Sequence, residues 1–524
     1  MYRINNIKSP LGADKTALKK QAADLCGLDI SDINDFTISK KSVDARNKNN
    51  VHFVYSVDFS AVKKPLINPN LEEIYAPQQL IFNIKKTDFR PIVAGSGPAG
   101  MFAALALAEA GLCPIVLERG SDVETRRKEI ELFWKIGKLN PETNVQFGEG
   151  GAGTFSDGKL MSGIKKDKFT AKVFAEFVCA GAPKEILYLA KPHVGTDNLR
   201  KVVLNIREKI ISLGGEYRFN HKLEDLIIEN ERLKAVLINH NGENYELPAQ
   251  RLFLALGHSA RDTFEMLERR GLHLEQKPFS VGVRIEHKQS LINMAQYGRQ
   301  AENPHLGAAD YKLAVHLPNG RSVYTFCMCP GGQVVAAASE IGRVVTNGMS
   351  EFARDKENAN SALLVGVDSR DFGSDKPLAG MYFQRKLEET AFIVGGKNYQ
   401  APAQMVGDFL LNRESKHFAD VLPSYLPSVT PSNLSAVLPE QICESLKAGI
   451  VQMNNKLRGF SSPSAVMTGV ETRSSSPVRI VRDETYQSNI KGIFPCGEGA
   501  GYAGGITSAA ADGLKAVYSL NIDD

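Results

Sequence analysis

Residues 91–120 read PIVAGSGPAGMFAALALAEAGLCPIVLERG, and this stretch decides the fold. An apolar segment is followed by a GxGxxG motif, a run of small and apolar residues, and a second apolar segment that ends in Glu118. Strand, glycine turn, helix and strand in this order are typical of a β-α-β unit that binds a dinucleotide. Its glycines permit a tight turn, backbone approach to a pyrophosphate, and close packing of helix on strand. We expect the pyrophosphate to contact Gly95, Gly97, Pro98, Ala99 and Gly100.

The acid at the end of the second strand has its own expected role. Glu118 lies 18 residues after Gly100, close to the spacing that puts a carboxylate on the ribose diol of the bound dinucleotide. We therefore predict that Glu118 binds the adenosine ribose and that Arg119, the next residue, belongs to the same site.

The C-terminal stretch 490–517, IKGIFPCGEGAGYAGGITSAAADGLKAV, favours FAD over NAD. It reads as a short strand, an acid, a glycine loop and a helix of small residues. An extended FAD needs a second contact region far from its adenine, and the acid can bind a ribityl hydroxyl. The helix N-terminus can stabilise the negative charge that reduction places on the flavin. The candidate contacts here are Gly497, Glu498, Tyr502, Gly504, Gly505 and Ile506.

A third glycine-rich stretch, QFGEGGAGTFSDGKL at 146–160, carries five glycines in fifteen residues. Glycines at this density let a backbone lie against a ligand, and the polar residues between them can donate hydrogen bonds or offset charge. We predict a further wall of the cofactor site, the alternative being a glycine-rich surface loop. The candidate contacts are Gly151, Gly153, Thr154, Phe155, Ser156, Asp157 and Lys159.

Taken together, these stretches and the motifs KPHVGTDNLR, LALGHSARDT, FCMCPGGQVV and VETRSSSPVRI resemble the bacterial FAD-dependent dehydrogenases of unassigned substrate, often called NAD(P)/FAD-dependent oxidoreductases. The resemblance covers nearly the whole chain. More distantly, the FAD segments are similar to the p-hydroxybenzoate-hydroxylase-like branch of the glutathione-reductase superfamily. This resemblance implies that the backbone at Leu223 holds the adenine. It also implies that Gly257 lies near the cofactor, although Leu256-Gly257-His258 departs from the ATG found in many such folds.

The same resemblance implies the fold class: α/β, with a Rossmann-like FAD-binding domain that is discontinuous in sequence and carries an inserted α+β cap domain. The expected divisions are a small N-terminal α+β domain at 1–60, a linker at 61–90, the first FAD segment at 91–275, the cap at 276–465, and the last FAD segment at 466–524.

Local patterns predict several elements inside these divisions. The N-terminal unit reads as one helix, with Asp14 as its N-cap and Gly27 just past its end, on a small antiparallel sheet of ferredoxin-like type. In the cap, we predict helices near 378–394, 401–413 and 439–458.

The catalytic residues are not identified by any familiar triad, and no metal-binding constellation is expected. His193 precedes a predicted helix, His258 follows the apolar strand at 252–256, and Cys327 and Cys329 lie two apart in a predicted strand. These four are weak catalytic candidates, with packing or hydrogen bonding as the plainer alternative. Arg284 and Arg473 are candidate anion-binding residues.

Composition narrows the function classes. The net charge of +4 over 524 residues does not call for nucleic acid or an anionic membrane. Seven scattered cysteines without a CxxC indicate free thiols in a reducing, cytoplasmic setting.

The sequence therefore predicts an FAD-dependent oxidoreductase that moves a hydride between a small organic substrate and a nicotinamide or other electron partner. NAD(P)H is expected as a transient partner at most. A flavin-dependent RNA-modifying enzyme and a non-enzymatic flavin sensor remain alternatives, and the oligomeric state is left open.

Overall fold

The computed structural model describes residues 1–75, 80–160 and 167–521. The N-terminal unit forms one antiparallel sheet in the order β2-β3-β1-β4, with one helix packed on it. Its elements are β1 (Tyr2–Ser9), α1 (Lys15–Cys26), β2 (Ile33–Asp44), β3 (His52–Ala61) and β4 (Leu71–Glu73).

The predicted helix of this unit is confirmed: Asp14 caps α1 by accepting from the Ala17 backbone N–H at 2.7 Å, and Gly27 ends it at a φ of 63°. The ferredoxin-like prediction is wrong, because that topology needs two helices and the described part of this unit contains one. Strand β4 also lies inside the segment predicted to be a linker. Residues 76–79 of that segment lie outside the described residues.

The next part of the chain supplies most of a five-stranded, wholly parallel sheet in the order β23-β11-β5-β6-β7. Its elements are β5 (Ile92–Ala94), α2 (Pro98–Glu109), β6 (Ile115–Glu118), α3 (Val123–Ile136), α4 (Lys168–Cys179), α5 (Thr196–Ser212), β7 (Glu216–Phe219), β8 (His221–Glu229), β9 (Arg232–His240), β10 (Glu243–Pro248), β11 (Leu252–Leu254), α6 (Arg261–Arg269) and β12 (Leu274–Gln276).

A seven-stranded sheet follows, in the order β14-β15-β18-β13-β21-β19-β20 and antiparallel except for β19 with β20. The elements of this region are β13 (Phe279–Lys288), α7 (Gln289–Tyr297), β14 (Ala314–His316), β15 (Ser322–Cys329), β16 (Gln333–Ala336), β17 (Thr346–Met349), β18 (Asn358–Val367), α8 (Ser369–Phe372), α9 (Ala379–Val394), β19 (Ala401–Met405), α10 (Val406–Leu410), β20 (Val429–Pro431), α11 (Glu440–Lys456) and β21 (Val466–Glu471).

Two predictions about this region need correction. The segment 401–413, predicted to be one helix, begins with strand β19 and contains only the short helix α10. The boundary expected between the cap and the last FAD segment, at 465/466, lies too early in the chain. Strand β21 follows it and still pairs with β13 and β19 in the seven-stranded sheet. The helices predicted near 378–394 and 439–458 are confirmed as α9 and α11.

The C-terminal segment returns to the parallel sheet. Strand β23 pairs with β11, so the glycine loop that follows β23 lies at the same carboxyl edge as the Gly95–Gly100 turn. Ligands bind at this edge in open α/β sheets. The elements are β22 (Val478–Ile480), β23 (Ile493–Pro495) and α12 (Ile506–Tyr518).

Small residues bring α2 and α12 together on one face of this sheet. A Cβ at Gly100 would lie 1.9 Å from the Gly95 carbonyl oxygen, and one at Gly513 would lie 2.1 Å from the Ala99 carbonyl oxygen. Gly513 therefore lets α12 pack on α2, and Gly100 lets α2 pack against the turn that follows β5; this packing fixes where the two helix N-termini lie. Among the described residues, no helix is long and apolar enough to cross a membrane.

Candidate functional site

A cavity of about 620 Å³ lies at the carboxyl edge of the parallel sheet and reaches β15 and β21 of the seven-stranded sheet. Residues from all three glycine-rich stretches line it. Most of the site residues predicted from the sequence are in its wall. The exceptions are Gly100, Thr154, Phe155, His193, Arg284, Cys329, Gly497 and Tyr502.

The first and third glycine-rich stretches, 91–120 and 146–160, meet at this cavity. Gly97 is the N-cap of α2, and a Cβ placed on it would have only the Gly151 Cα near it, at 3.7 Å. In turn, a Cβ on Gly151 would fall 2.9 Å from the Gly97 Cα, and Gly151 has a φ of 62°. The two backbones therefore form one continuous wall because neither residue carries a side chain.

Glu118 ties these two stretches together. Its buried carboxylate accepts hydrogen bonds from the Ser96 N–H at 3.0 Å, the Ser96 hydroxyl at 2.6 Å, the Gly120 N–H at 2.9 Å and the Gly148 N–H at 3.0 Å. A carboxylate offers about four lone-pair directions, and protein donors engage all of them. The structure thus gives Glu118 a role in joining the loops, which the sequence reasoning missed, while the ribose contact stays a prediction.

Arg126, which the sequence reasoning also missed, organises the third stretch. Its buried guanidinium donates to the backbone carbonyls of the 144–151 loop at 2.6–3.2 Å, and burial lowers its pKa to about 10. A sequence signal existed: Arg126 lies at helical spacing in the buried stripe of α3, with Val123, Ile130 and Phe133.

The adenosine end of the predicted site is formed by Arg119 and β8. The Arg119 guanidinium lies 4.2 Å from the centre of the Phe147 ring and pairs with Glu142 and Asp262, each at 2.8 Å. Leu223, on β8, also lines the cavity.

Glu498 differs from Glu118 because its carboxylate receives no hydrogen bond from the described residues. It lines the cavity, and burial raises its pKa to about 7 although Lys277 nearby works in the other direction. Near it, the N-terminus of α12 opens on the cavity, and a Cβ at Gly504 would meet no atom within 4 Å. This region therefore offers an acceptor, free backbone N–H groups and space.

Lys159 and Asp157 form the far wall. The Asp157 carboxylate pairs with Arg354 through both oxygens and lies 3.3 Å from the Lys159 amine. Burial raises the pKa of Asp157, but Lys159 and Arg354 outweigh it and leave that pKa below its ordinary value. The Lys159 amine is buried and makes no hydrogen bond within the described part of the chain.

Other predicted contacts from the third stretch support the loop instead of lining the cavity. The Thr154 carbonyl accepts from the Thr196 hydroxyl at 2.6 Å, and the buried Phe155 ring packs edge-on against Trp134 at 6.5 Å. The prediction that Thr154 and Phe155 line the cofactor wall is therefore wrong.

Tyr502, Gly497 and Gly100 were also predicted to contact the cofactor, and they too lie outside the cavity wall. Tyr502 lies under Arg482, whose guanidinium is 3.7 Å from the ring centre, and its hydroxyl accepts from the Arg482 N–H at 3.2 Å. Gly497 faces the Ala99 Cβ, which a Cβ on Gly497 would approach to 2.5 Å. Gly497 and Gly100 are needed for helix packing, and Tyr502 for holding Arg482.

The two histidine candidates differ in place. His193 lies outside the cavity wall, where it stacks on Phe352 at 5.1 Å and bonds the Phe352 carbonyl at 3.2 Å. His258 is in the wall, its Nδ1 lies 2.9 Å from the Ser259 hydroxyl, and burial with Arg473 nearby lowers its pKa to about 3. His258 is therefore neutral at physiological pH.

The two candidate anion-binding arginines are already paired. Arg284 pairs with Glu471 at 2.6 Å, and Arg473 pairs with Glu388 at 2.9 Å. Their charges are matched by buried carboxylates, so neither is free to bind an anion. Arg473 lines the cavity, whereas Arg284 lies behind its wall.

Comparison with known protein families indicates the class of protein to which the chain is similar. Residues 278–474 match the family model described as "FAD-dependent protein, C-terminal domain-like", and residues 1–60 match a domain of unknown function. The first match supports an FAD-dependent protein.

A relative over nearly the full length then gives the family. An uncharacterized protein of Clostridium beijerinckii is 48% identical over 522 residues, which is 98% of this chain and 97% of that one. The chain belongs to the same family as this clostridial protein.

Solved structures give a much looser likeness. A 3-ketosteroid-Δ4-(5α)-dehydrogenase from Rhodococcus jostii is 12% identical, with 83% of this chain and 97% of that chain covered and a TM-score of 0.37. A glycerol-3-phosphate dehydrogenase from Bacillus halodurans complexed with FAD is 11% identical, with 84% and 64% covered and a TM-score of 0.35. Likenesses this weak carry no argument about activity.

Proposed function

We propose that the chain is a flavoprotein oxidoreductase that holds FAD non-covalently in the 620 Å³ cavity. The observation that carries the proposal is the meeting of three glycine-rich stretches at one sheet edge, together with the Glu498 carboxylate that has no hydrogen-bond donor among the described residues. A carboxylate in that state suits the ribityl hydroxyls of a flavin nucleotide, which would donate to it.

The residues present fit an extended dinucleotide. Leu223 and Arg119 would hold the adenosine, with Glu118 beside the ribose, and the α2 N-terminus at Gly97 would hold the pyrophosphate. The backbone at Gly151 would support the pyrophosphate from the opposite wall, where no side chain stands in the way.

The flavin ring would lie toward the far end, between the α12 N-terminus and Lys159. Bound flavin would supply two-electron redox chemistry. The N–H groups at Gly505 and Ile506 and the Lys159 ammonium would stabilise negative charge there, because both bring positive charge to the wall of the cavity. His258, which is neutral, would add no charge.

The reaction we propose is transfer of a hydride between a small organic substrate and a nicotinamide or another electron partner. Because the 91–118 unit is assigned to FAD, a nicotinamide would visit only transiently. The arrangement of a discontinuous FAD domain with an inserted cap, in a branch related to p-hydroxybenzoate hydroxylase, belongs to this proposal. It is supported by β23, which adds the C-terminal segment to the sheet of β5.

The test is reduction of the purified flavoprotein without oxygen. NADH and NADPH are added separately, and the flavin absorbance is followed by stopped flow with dithionite as the reference for full reduction. Bleaching by either nicotinamide at a saturable rate supports the proposal. A flavin that dithionite reduces but neither nicotinamide does would exclude nicotinamide as its electron partner.

A further inference from the structure

Cys327 occupies an irregular point at the end of β15. The pairing of β15 with β18 is regular up to Phe326 and then shifts register, so that Cys329 pairs with Asn360. Cys327 has a φ of 43°, a value that residues other than glycine seldom adopt. Bulges of this kind redirect side chains and are frequent beside active sites.

The bulge separates two cysteines that a regular strand would place on one face. Cys327 lines the cavity and is partly exposed, whereas Cys329 is buried and outside the wall. The Cys329 thiol donates to the Cys327 carbonyl at 3.3 Å, and the Arg284 guanidinium donates to the same carbonyl at 2.8 Å. One thiol is therefore accessible from the cavity, and a second supports it from behind.

The charges around this point do not balance without a further anion. Lys159, Arg284 and Arg354 are three cations, and their carboxylate partners are Asp157 and Glu471. Asp157 is shared by two of the cations, and the Lys159 amine makes no hydrogen bond within the described residues. Glu286, another buried carboxyl that Arg284 influences, accepts from Ser424 and Asn358 and pairs with none of the three cations in the described part of the chain. One positive charge is therefore left over in a largely buried cluster, where an unmatched charge is costly.

The pKa shifts of the Cys327 and Cys329 thiols agree with an excess of positive charge at this point. The neighbouring Cys329 thiol holds the pKa of Cys327 well below its usual range; burial opposes the shift, and Lys159 and Arg284 support it. The pKa of Cys329 is raised well above its usual range by its bond to Cys327 and by burial. Asp157, Glu471 and Glu498 are the nearby acids, and Asp157 raises the pKa of Cys327 without reversing the direction of its shift.

We propose that Cys327 is the reactive thiolate of this cavity, that Cys329 retains the proton of the pair, and that the cavity takes uncharged, soft electrophiles. With a thiolate at Cys327 the cluster is neutral, so an uncharged reagent enters without adding a charge. With iodoacetamide, the sulfur electron pair forms the S–CH₂ bond, the C–I bond breaks and iodide leaves. No proton is released, because the thiol is already ionised.

The first test is the pH dependence of alkylation in the flavin-loaded protein. Iodoacetamide is reacted between pH 6.0 and 9.0, and the rate at each cysteine is read by peptide mass spectrometry, with the exposed Cys179 as an internal reference for the reagent. We expect the Cys327 rate to change less than about twofold from pH 6.5 to 8.5, since an ionised thiol has little thiolate left to gain. A rate that rises about tenfold per pH unit, or no labelling of Cys327 at any pH, would overturn the proposal.

The second test removes the unmatched charge. In Lys159→Met, the labelling rate of Cys327 at pH 6.5, relative to its own rate at pH 9.0, should fall about tenfold. Lys191→Met is the matched control, since Lys191 also lines the cavity but pairs with Asp310 at 2.6 Å; its profile should stay that of the wild type. An unchanged profile in Lys159→Met would refute the role given to the charge cluster, whatever the redox activity of the protein.

Discussion

The two ends of the cavity are built in opposite ways. At the end formed by the 91–118 unit, the polar groups are satisfied by the protein itself, as with Glu118 and its four donors. At the other end, the Glu498 carboxylate lines the cavity and receives no hydrogen bond from the described residues. The buried Lys159 amine pairs with Asp157 at 3.3 Å and makes no hydrogen bond within the described part of the chain. A buried polar group left without a partner costs about 1–3 kcal/mol, so such groups mark a place that a ligand completes. The first end, the scaffold end, is held together by its own hydrogen bonds, and the second end, the far end, is where we expect a ligand to supply them.

The largest expected effect is the difference between valine substitutions at two glycines, Gly100 and Gly504. In Gly100→Val, the new side chain would overlap the Gly95 carbonyl oxygen, which lies 1.9 Å from the Cβ position, and we expect a loss of more than about 3 kcal/mol and no folded protein. In Gly504→Val, no atom lies within 4 Å, so the chain should fold but purify without flavin. Circular dichroism and flavin absorbance measure the two outcomes. Full flavin content in folded Gly504→Val would place the cofactor elsewhere.

The next effect concerns the scaffold. Arg126→Met would leave the carbonyls of the 144–151 loop without their buried donor, and we expect the free energy of unfolding to fall by about 3 kcal/mol, measured by urea denaturation. Arg127→Met is the matched control on the same helix. Arg127 is half-buried and, among the described residues, pairs with the exposed Glu124 and Glu131, so its loss should cost less than about 1 kcal/mol. If both substitutions lowered the free energy of unfolding equally, Arg126 would not be the residue that holds the 144–151 loop.

A smaller effect is expected at Glu118. Glu118→Ala removes the acceptor that joins the loops at Ser96 and Gly148, and we expect FAD affinity to fall about tenfold to a hundredfold, or about 1.5–3 kcal/mol. Reconstitution of the stripped protein, followed by flavin fluorescence, gives the dissociation constant. Glu124→Ala, on the exposed first turn of α3, should leave it unchanged. If folded Glu118→Ala bound FAD with the affinity of the wild type, Glu118 would have no role in holding FAD.

The smallest expected effect is a pH-dependent change in stability when Glu498 is replaced. Its folded-state pKa of about 7 lies above that of the unfolded chain, so its burial favours folding at low pH, and this advantage is lost as the pH rises through 7. In flavin-free protein, Glu498→Gln should therefore be more stable than the wild type at pH 8, by on the order of 1 kcal/mol, with the gain disappearing near pH 4.5. Thermal unfolding at the two pH values measures this. A gain that is the same at both would show that the carboxylate is already paired.

The sequence predicted the scaffold end better than the far end, because the scaffold is local in sequence. The GxGxxG turn, its helix and its second strand lie within 91–120, and glycine spacing directly encodes backbone approach. The boundary near 465 failed for the opposite reason. Whether β21 joins the parallel or the antiparallel sheet depends on its partners β13 and β19, which lie far away in the chain.

The far end depends on contacts that no single stretch contains. Lys159, Arg354 and Cys327 come from three separate segments, and the bulge that exposes Cys327 is set by the pairing of β15 with β18. In the third stretch, the glycines bring the Gly151 backbone against Gly97, and the expected backbone approach to a cofactor stays a prediction. The composition of this stretch did not reveal that Thr154 and Phe155 face into the protein, since either direction is compatible with the same residues.

The most direct measurement of the central claim is the identity and amount of the cofactor that the protein releases. Purified protein is denatured by heat, the chain is removed, and the supernatant is analysed by mass spectrometry and absorbance. We predict one intact FAD for each chain, with none left on the precipitate. Recovery of NAD alone, of no nucleotide, or of flavin that stays attached to the chain would contradict a non-covalent FAD spanning the two ends of this cavity.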